Sequence, residues 1–195
     1  MDLKNIIYKR RSIRNFLEKP IEREKIKQII EAGNQAPSAC NLQGWRFKIL
    51  NDSEKQQIVK FGGADFIKHA PLAIIVTYIK SDNPYKDNIQ SASACIQNMI
   101  LMATSLGIGS CWVCHLPPKW RLKHLLNIPS HYDPITCVVF GYPKYDLKKV
   151  ERKYKYQDLF KFRTKNKRSI LKYFYTRQPI RPKIIEKKFT KRFQN

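Results

Sequence analysis

Acidic side chains are scarce in this chain: 15 Asp and Glu stand against 38 Lys and Arg, a formal net charge of +23 over 195 residues. Such an excess exceeds what solubility requires and points toward an acidic or phosphorylated partner. Glycine is scarce as well, with seven residues and no internal repeat, which excludes a collagen-like chain. Hydrophobic content of 43% excludes a disordered one. The opening MDLKNIIYKRRS lacks the apolar core of a secretory signal. The longest weakly polar stretch, 94–114, is interrupted by Gln97, Asn98, Thr104, Ser105, Gly107, Gly109 and Ser110, so it reads as a buried helix running into a strand rather than a membrane span. The five cysteines sit in or beside apolar runs, which fits a reducing cytoplasm.

Several motifs are missing too. Neither GxGxxG nor GxxxxGK occurs, which disfavours dinucleotide-binding and phosphate-loop folds. No HExxH and no second CxxC accompany the four scattered histidines, so a metal site has no support. Without a GxSxG elbow, hydrolysis by a Ser nucleophile is a poor reading.

What is present is enough for one core. Asp2 can cap a short helix with Leu3, Ile6 and Ile7 on its apolar face. A second helix follows Pro20, with Ile26, Ile29 and Ile30 on one face and Gly33 as its stop. Residues 34–44 read as a polar loop, Trp45 to Leu50 as a half-buried strand, and Asp52 or Ser53 as the cap of a helix through Val59. The β-branched run Leu72 to Ile79 predicts a central strand covered on both faces. Asn88 to Leu106, small and apolar almost all round, predicts a helix buried in the molecule or at a subunit contact, Ser110 to Cys114 a strand, Pro118 to Leu126 a helix, and Ile135 to Phe140 a last strand. Strands separated by helices exclude all-α and all-β architectures.

The charge is uneven. Residues 161–195 hold 13 Lys and Arg against the single Glu186, a net +12, while residues 1–160 carry +11 in an ordinary globular composition. The tail could bind nucleic acid or an anionic membrane through counterion release.

Three clusters could carry chemistry. Arg10, Arg11, Ser12 and Arg14 gather three guanidiniums and a hydroxyl, suited to a phosphate or a polarised heterocyclic carbonyl. Taken alone, they read more readily as a solvated basic helix end. Pro37, Ser38, Asn41 and Gln43 set amide and hydroxyl groups in a loop, where they can read the edge of a planar ring or simply tie a turn to its own backbone. Gly107 to His115 forms a glycine-rich turn feeding a strand whose amides could approach a cofactor. Its CxxC, Cys111 and Cys114, reads as structural, since alternation along a strand sends the two thiols to opposite faces.

Taken in order, RRSIRNF, APSACNLQGWRF, GIGSCWV and VVFGYP resemble the flavin-dependent nitroreductase family over residues 1 to about 160. The resemblance implies an α+β, three-layer fold with a mixed central β-sheet flanked by helices, and an intertwined homodimer with two FMN sites along its interface. It divides the chain into an FMN-binding domain, 1–160, and a basic C-terminal extension, 161–195. It implies that Arg10, Arg11, Ser12 and Arg14 contact the phosphate, ribityl chain and pyrimidine edge, and that Pro37, Ser38, Asn41 and Gln43 approach from the second chain. It places Val113, Cys114 and His115 near flavin N5 and O4, and makes Arg152 and Lys153 a second phosphate clamp. Arg14 would stabilise the negative charge that a reduced flavin gains near N1 and O2.

The implied activity is oxidation of NADH or NADPH and reduction of a small acceptor such as a nitroaromatic or a quinone by a ping-pong mechanism. The alternatives are a reductive dehalogenase, or a basic nucleic-acid-binding or scaffold flavoprotein with little turnover. This chain departs from the family pattern at Gly44 (usually Pro), Ala39 (usually Ser) and Cys114 (usually Gly). A side chain at Cys114 would narrow the space over N5 unless it turns into the core.

Overall fold

A computed structural model describes residues 2–145 and 151–160. The tail at 161–195, with its expected extension and its nucleic-acid or membrane contacts, lies outside the described residues. The chain divides into two compact units, Met1–Lys149 and Val150–Asn195, and the first carries the fold.

Its elements run α1 (Leu3–Lys9), α2 (Arg23–Asn34), β1 (Trp45–Ile49), α3 (Asp52–Lys60), β2 (Leu72–Ile79), α4 (Asp87–Ser105), β3 (Gly109–Val113), α5 (Lys119–Leu126) and β4 (Tyr132–Gly141). The strands form one sheet in the order β1-β2-β4-β3. Alternation along β2 explains the layering. Ile74, Val76 and Tyr78 face a core built with α2 and α4, among them Ile29, Cys95, Ile96 and Met99. Ala73 and Ile75 face a second core with Ile58 of α3 and Leu122 and Leu126 of α5. Three layers result, and β2 is buried almost throughout, as its β-branched run predicts.

The expected mixed sheet proves antiparallel in every ladder. The reason is topological. The β2–α4–β3 crossover does make β2 and β3 parallel, but β4 inserts between them and is antiparallel to both. Among the described residues, parallel pairing survives only as the isolated bridge between Ser12 and Ser110.

Local chemistry shifts some boundaries. The cap of α3 is Asn51, not Asp52 or Ser53: its side chain accepts from Glu54 N–H at 2.9 Å and Glu54 returns the bond to Asn51 N–H at 2.9 Å, a reciprocal capping box. Strand β4 begins at Tyr132, three residues ahead of Ile135. A register shift between Val76 and Thr77 lets Pro134 sit opposite Thr77 and leaves Ile135 as the extra residue. Strand β3 ends at Val113, one residue short of the expected Cys114. Among the described residues no helix is long and apolar enough to cross a membrane.

Candidate functional site

The arginine cluster is docked on the β3 edge of the sheet. Helix α1 is capped by Asp2, whose carboxylate accepts from Asn5 N–H at 2.8 Å. The helix is closed by Arg11, whose Nη1 donates to the Tyr8 and Arg10 carbonyls at 2.7 Å each, a placement the negative end of the helix favours. The chain then runs alongside β3, with Ile13 N–H donating to Ser110 O at 2.8 Å and Leu17 N–H to Tyr142 O at 2.9 Å. Two glycines permit this approach. A Cβ on Gly109 would lie 2.9 Å from Ile13, and one on Gly141 would lie 2.7 Å from the Phe16 ring.

Arg10, Ser12 and Arg14 gather around Cys111. Burial pushes this thiol up, the charges of Arg14 and Arg10 and a hydrogen bond to Ser12 pull it down, and burial wins. Cys111 is therefore a protonated core thiol. Burial likewise pushes Cys95 and Cys137 up to about 12. The Arg14 guanidinium lies 5.7 Å from the Phe66 ring centroid. Two buried polar atoms at this edge, Arg11 Nε and Ser110 Oγ, have no protein partner, as at a place shaped for a further polar group.

At the end of β3, Val113 is buried, while Cys114 and His115 just beyond it are exposed. The Val113 carbonyl accepts from Thr136 Oγ1 at 2.6 Å, and the His115 carbonyl from Ala64 N–H at 3.0 Å, so the strand end is fixed on both sides. Cys114 points to solvent and Cys111 to the core, as alternation requires. The thiol that replaces the family's usual glycine thus does not withdraw into the core.

The loop at 37–43 enters the opposite edge, at β1. Ser38 Oγ accepts from Gln43 N–H at 3.0 Å, Gln43 Nε2 donates to Asn41 Oδ1 at 2.7 Å, and Ala39 N–H donates to Ser91 Oγ on α4 at 3.1 Å. These bonds hold three non-glycine residues in the left-handed region: Cys40, Asn41 and Gln43, at φ 51°, 52° and 48°. Each such residue costs about 1 kcal/mol or more, least for Asn. Pro37, Asn41 and Gln43 are exposed. Gly44 has its own packing reason: a Cβ there would lie 2.9 Å from the Tyr78 ring, which fills the space and leaves its own hydroxyl buried without a partner.

The two sets lie on opposite edges of the sheet and toward opposite strand ends. Ser12 sits beside Ser110, level with Phe140 and Leu72, whereas Trp45, where the loop ends, is level with Tyr78. Three to four strand spacings separate these edges, about 14–19 Å. Within one chain the structure thus brings Arg10, Ser12 and Arg14 together with the β3 strand, and sets Ser38, Asn41 and Gln43 apart from them. Arg152 and Lys153 are exposed and belong to the second unit.

The donor types fit FMN: cations for a phosphate and for a pyrimidine edge, amides for a ring system, and unpartnered buried polar atoms beside the cations. Arg11 spends its Nη1 on the carbonyls of Tyr8 and Arg10, while its buried Nε has no protein partner. Sequence reasoning missed Ser91, the small polar residue inside the apolar surface of α4 that anchors the loop. It also missed Phe66 under Arg14, which no local pattern reveals.

Comparison with known proteins matches these features. The sequence model of the Nitroreductase family matches residues 7–62 and 54–142. A protein of Archaeoglobus fulgidus assigned the name NADH dehydrogenase/NAD(P)H nitroreductase is 38% identical over 146 residues, covering 71% of this chain and 84% of its own. An FMN reductase [NAD(P)H] of Bacillus subtilis is 25% identical over 155 residues, 68% of this chain and 62% of its own. The solved structure of an FMN-dependent nitroreductase from Clostridium difficile superposes with a TM-score of 0.66 at 29% identity, covering 84% of this chain and 99% of that one. With the motifs, the three-layer fold and the matched span in agreement, the chain belongs to the nitroreductase family of oxidoreductases.

Proposed function

We propose that two copies of this chain assemble two equivalent FMN sites, each built from the β3-edge arginines of one copy and the 37–43 loop of the other, and that the protein oxidises NADH or NADPH and reduces a small acceptor such as a nitroaromatic or a quinone. The observation that carries this reading is the separation of the two donor sets on opposite edges of one sheet. A single flavin touching both needs two chains. Helix α1 supports the assembly, since it buries no residue of its own and exposes Leu3, Ile7 and Tyr8, an apolar face suited to a second copy.

FMN held there would supply the redox chemistry, taking up a hydride equivalent from the nicotinamide and passing two electrons to the acceptor. The protein's part is to bind, orient and polarise. Arg10 and Ser12 hold the phosphate and ribityl side. Arg14, steadied against Phe66, presents positive charge to the pyrimidine edge, where reduction places negative charge. Asn41 and Gln43 offer amide groups from a backbone already locked by Ser38 and Ser91, so little ordering remains at binding. The strand end at Val113, Cys114 and His115 is tied down through its carbonyls, which leaves it rigid beside the ring. Donor and acceptor using such a site in turn would give ping-pong kinetics.

Purified protein should be yellow, or should become so on adding FMN, and should bleach anaerobically with NADH or NADPH. A preparation that takes up no FMN contradicts the reading.

A further inference from the structure

Outside the site described above, the α5 surface holds a cluster that the core does not need. The Arg121 guanidinium lies 4.5 Å from the ring centroid of Phe61 and 4.5 Å from that of Trp120. Trp120 is 63% exposed and Phe61 39% exposed. Its neighbours Lys119 and Lys123 are both engaged with Asp133, at 3.4 and 2.8 Å. Arg121 has no ion pair among the described residues. Stacking occupies the faces of a guanidinium and leaves its in-plane N–H fork free, the edge that reads a phosphate in bidentate fashion. A fixed cation with a free fork, beside an indole with an exposed surface, is chemistry for a phosphorylated purine nucleoside.

The position of the cluster gives it a role. Ala64 N–H donates to the His115 carbonyl, and Phe61 precedes Ala64 by three residues, so at most about 11 Å of chain separates the cluster from the strand end of the flavin site. An extended dinucleotide whose nicotinamide lies at that site has its adenosine end within reach of Trp120.

We infer that Trp120 and Arg121, backed by Phe61, form the docking place for the adenosine 2′-phosphate of NADPH and give this enzyme its preference for NADPH over NADH. The inference rests on the FMN reading for the position of the nicotinamide. The phosphate contact itself is independent of it.

The test has a binding arm and a kinetic arm. Of the three tryptophans Trp45 is buried and Trp112 half-buried, so quenching of the exposed indole reports chiefly on Trp120. Adenosine 2′,5′-bisphosphate should quench this emission at least about tenfold more tightly than 5′-AMP, and Arg121→Gln should remove that difference. In the FMN-loaded enzyme, Arg121→Gln should raise KM for NADPH about tenfold or more while leaving kcat and the KM for NADH unchanged. Equal binding of the two nucleotides by the wild type, or a preference that survives in Arg121→Gln and in Trp120→Ala, overturns the inference even if both donors still bleach the flavin. Failure of either donor to bleach a flavin-loaded protein counts instead against the FMN reading, and the quenching arm still decides the phosphate contact.

Discussion

The two halves of the candidate site are held by opposite means. At the β3 edge, residues 10–17 are laid along strand backbone, with glycines on the sheet side and arginines whose charge reaches a buried thiol. At the β1 edge, the 37–43 loop has few backbone partners, and hydroxyl and amide side chains force it into left-handed conformations. The first half is fixed by the fold, so whatever dislodges it also damages the protein. The second stores local strain and can be altered with little global consequence.

The largest expected effect follows from undocking the first half. Gly141→Val puts branched carbon against the Phe16 ring and Pro71 and should cost about 3 kcal/mol. Chemical denaturation should show the loss, and FMN should be lost with it. Arg14→Ala separates binding from folding: FMN affinity should fall about 10- to 100-fold, the worth of a charge-assisted contact, while the unfolding midpoint moves little. Flavin fluorescence titration measures the first, thermal melting the second. On the other edge, Ser38→Ala removes the acceptor of Gln43 N–H and should cost about 1 kcal/mol, seen mostly as weaker FMN binding, with unfolding nearly unchanged. If Ser38→Ala instead destabilises the protein as much as Gly141→Val does, the contrast between the two halves is wrong.

The smallest effect concerns acid. Tyr142, whose carbonyl holds Leu17, donates its hydroxyl to Glu22 at 2.5 Å and accepts from Lys25 at 2.7 Å. The Tyr142 hydrogen bond, followed by a backbone bond and Lys25, lowers the Glu22 carboxyl from 4.5 to about 2. A depressed folded-state value means that the carboxylate favours the folded state above pH 4.5 and that this contribution disappears as pH falls toward 2. Glu22→Gln should therefore lower stability slightly near neutrality, flatten the profile between pH 4.5 and 2, and match the wild type at still lower pH. Because the group is exposed, the change should be slight and salt-sensitive.

Much of the fold was legible because its signals are local. The β-branched run of β2, the all-round apolar surface of α4 and the Asp2 cap each specify their element within a few residues. The order of the strands was not legible, since the insertion of β4 between β2 and β3 depends on long-range pairing, and that insertion makes the sheet antiparallel. The site divides in the same way. Its donors could be read as residues in motifs, but the commitment of Arg11 to α1 carbonyls, the capture of Ala39 by Ser91 and the meeting of Phe61 with Arg121 all join residues or atoms that only the folded chain brings together.

The claim that each flavin is shared between two chains can be tested by complementation. Arg14→Ala damages one half of a site and Asn41→Ala with Gln43→Ala the other, so neither variant alone should bind FMN tightly. A mixed dimer, isolated with a different tag on each chain, contains one site bearing every lesion and one site bearing none. It should bind one tight FMN per dimer, where the wild type binds two. If the mixed dimer recovers no tight site, each flavin is held within a single chain and the account fails.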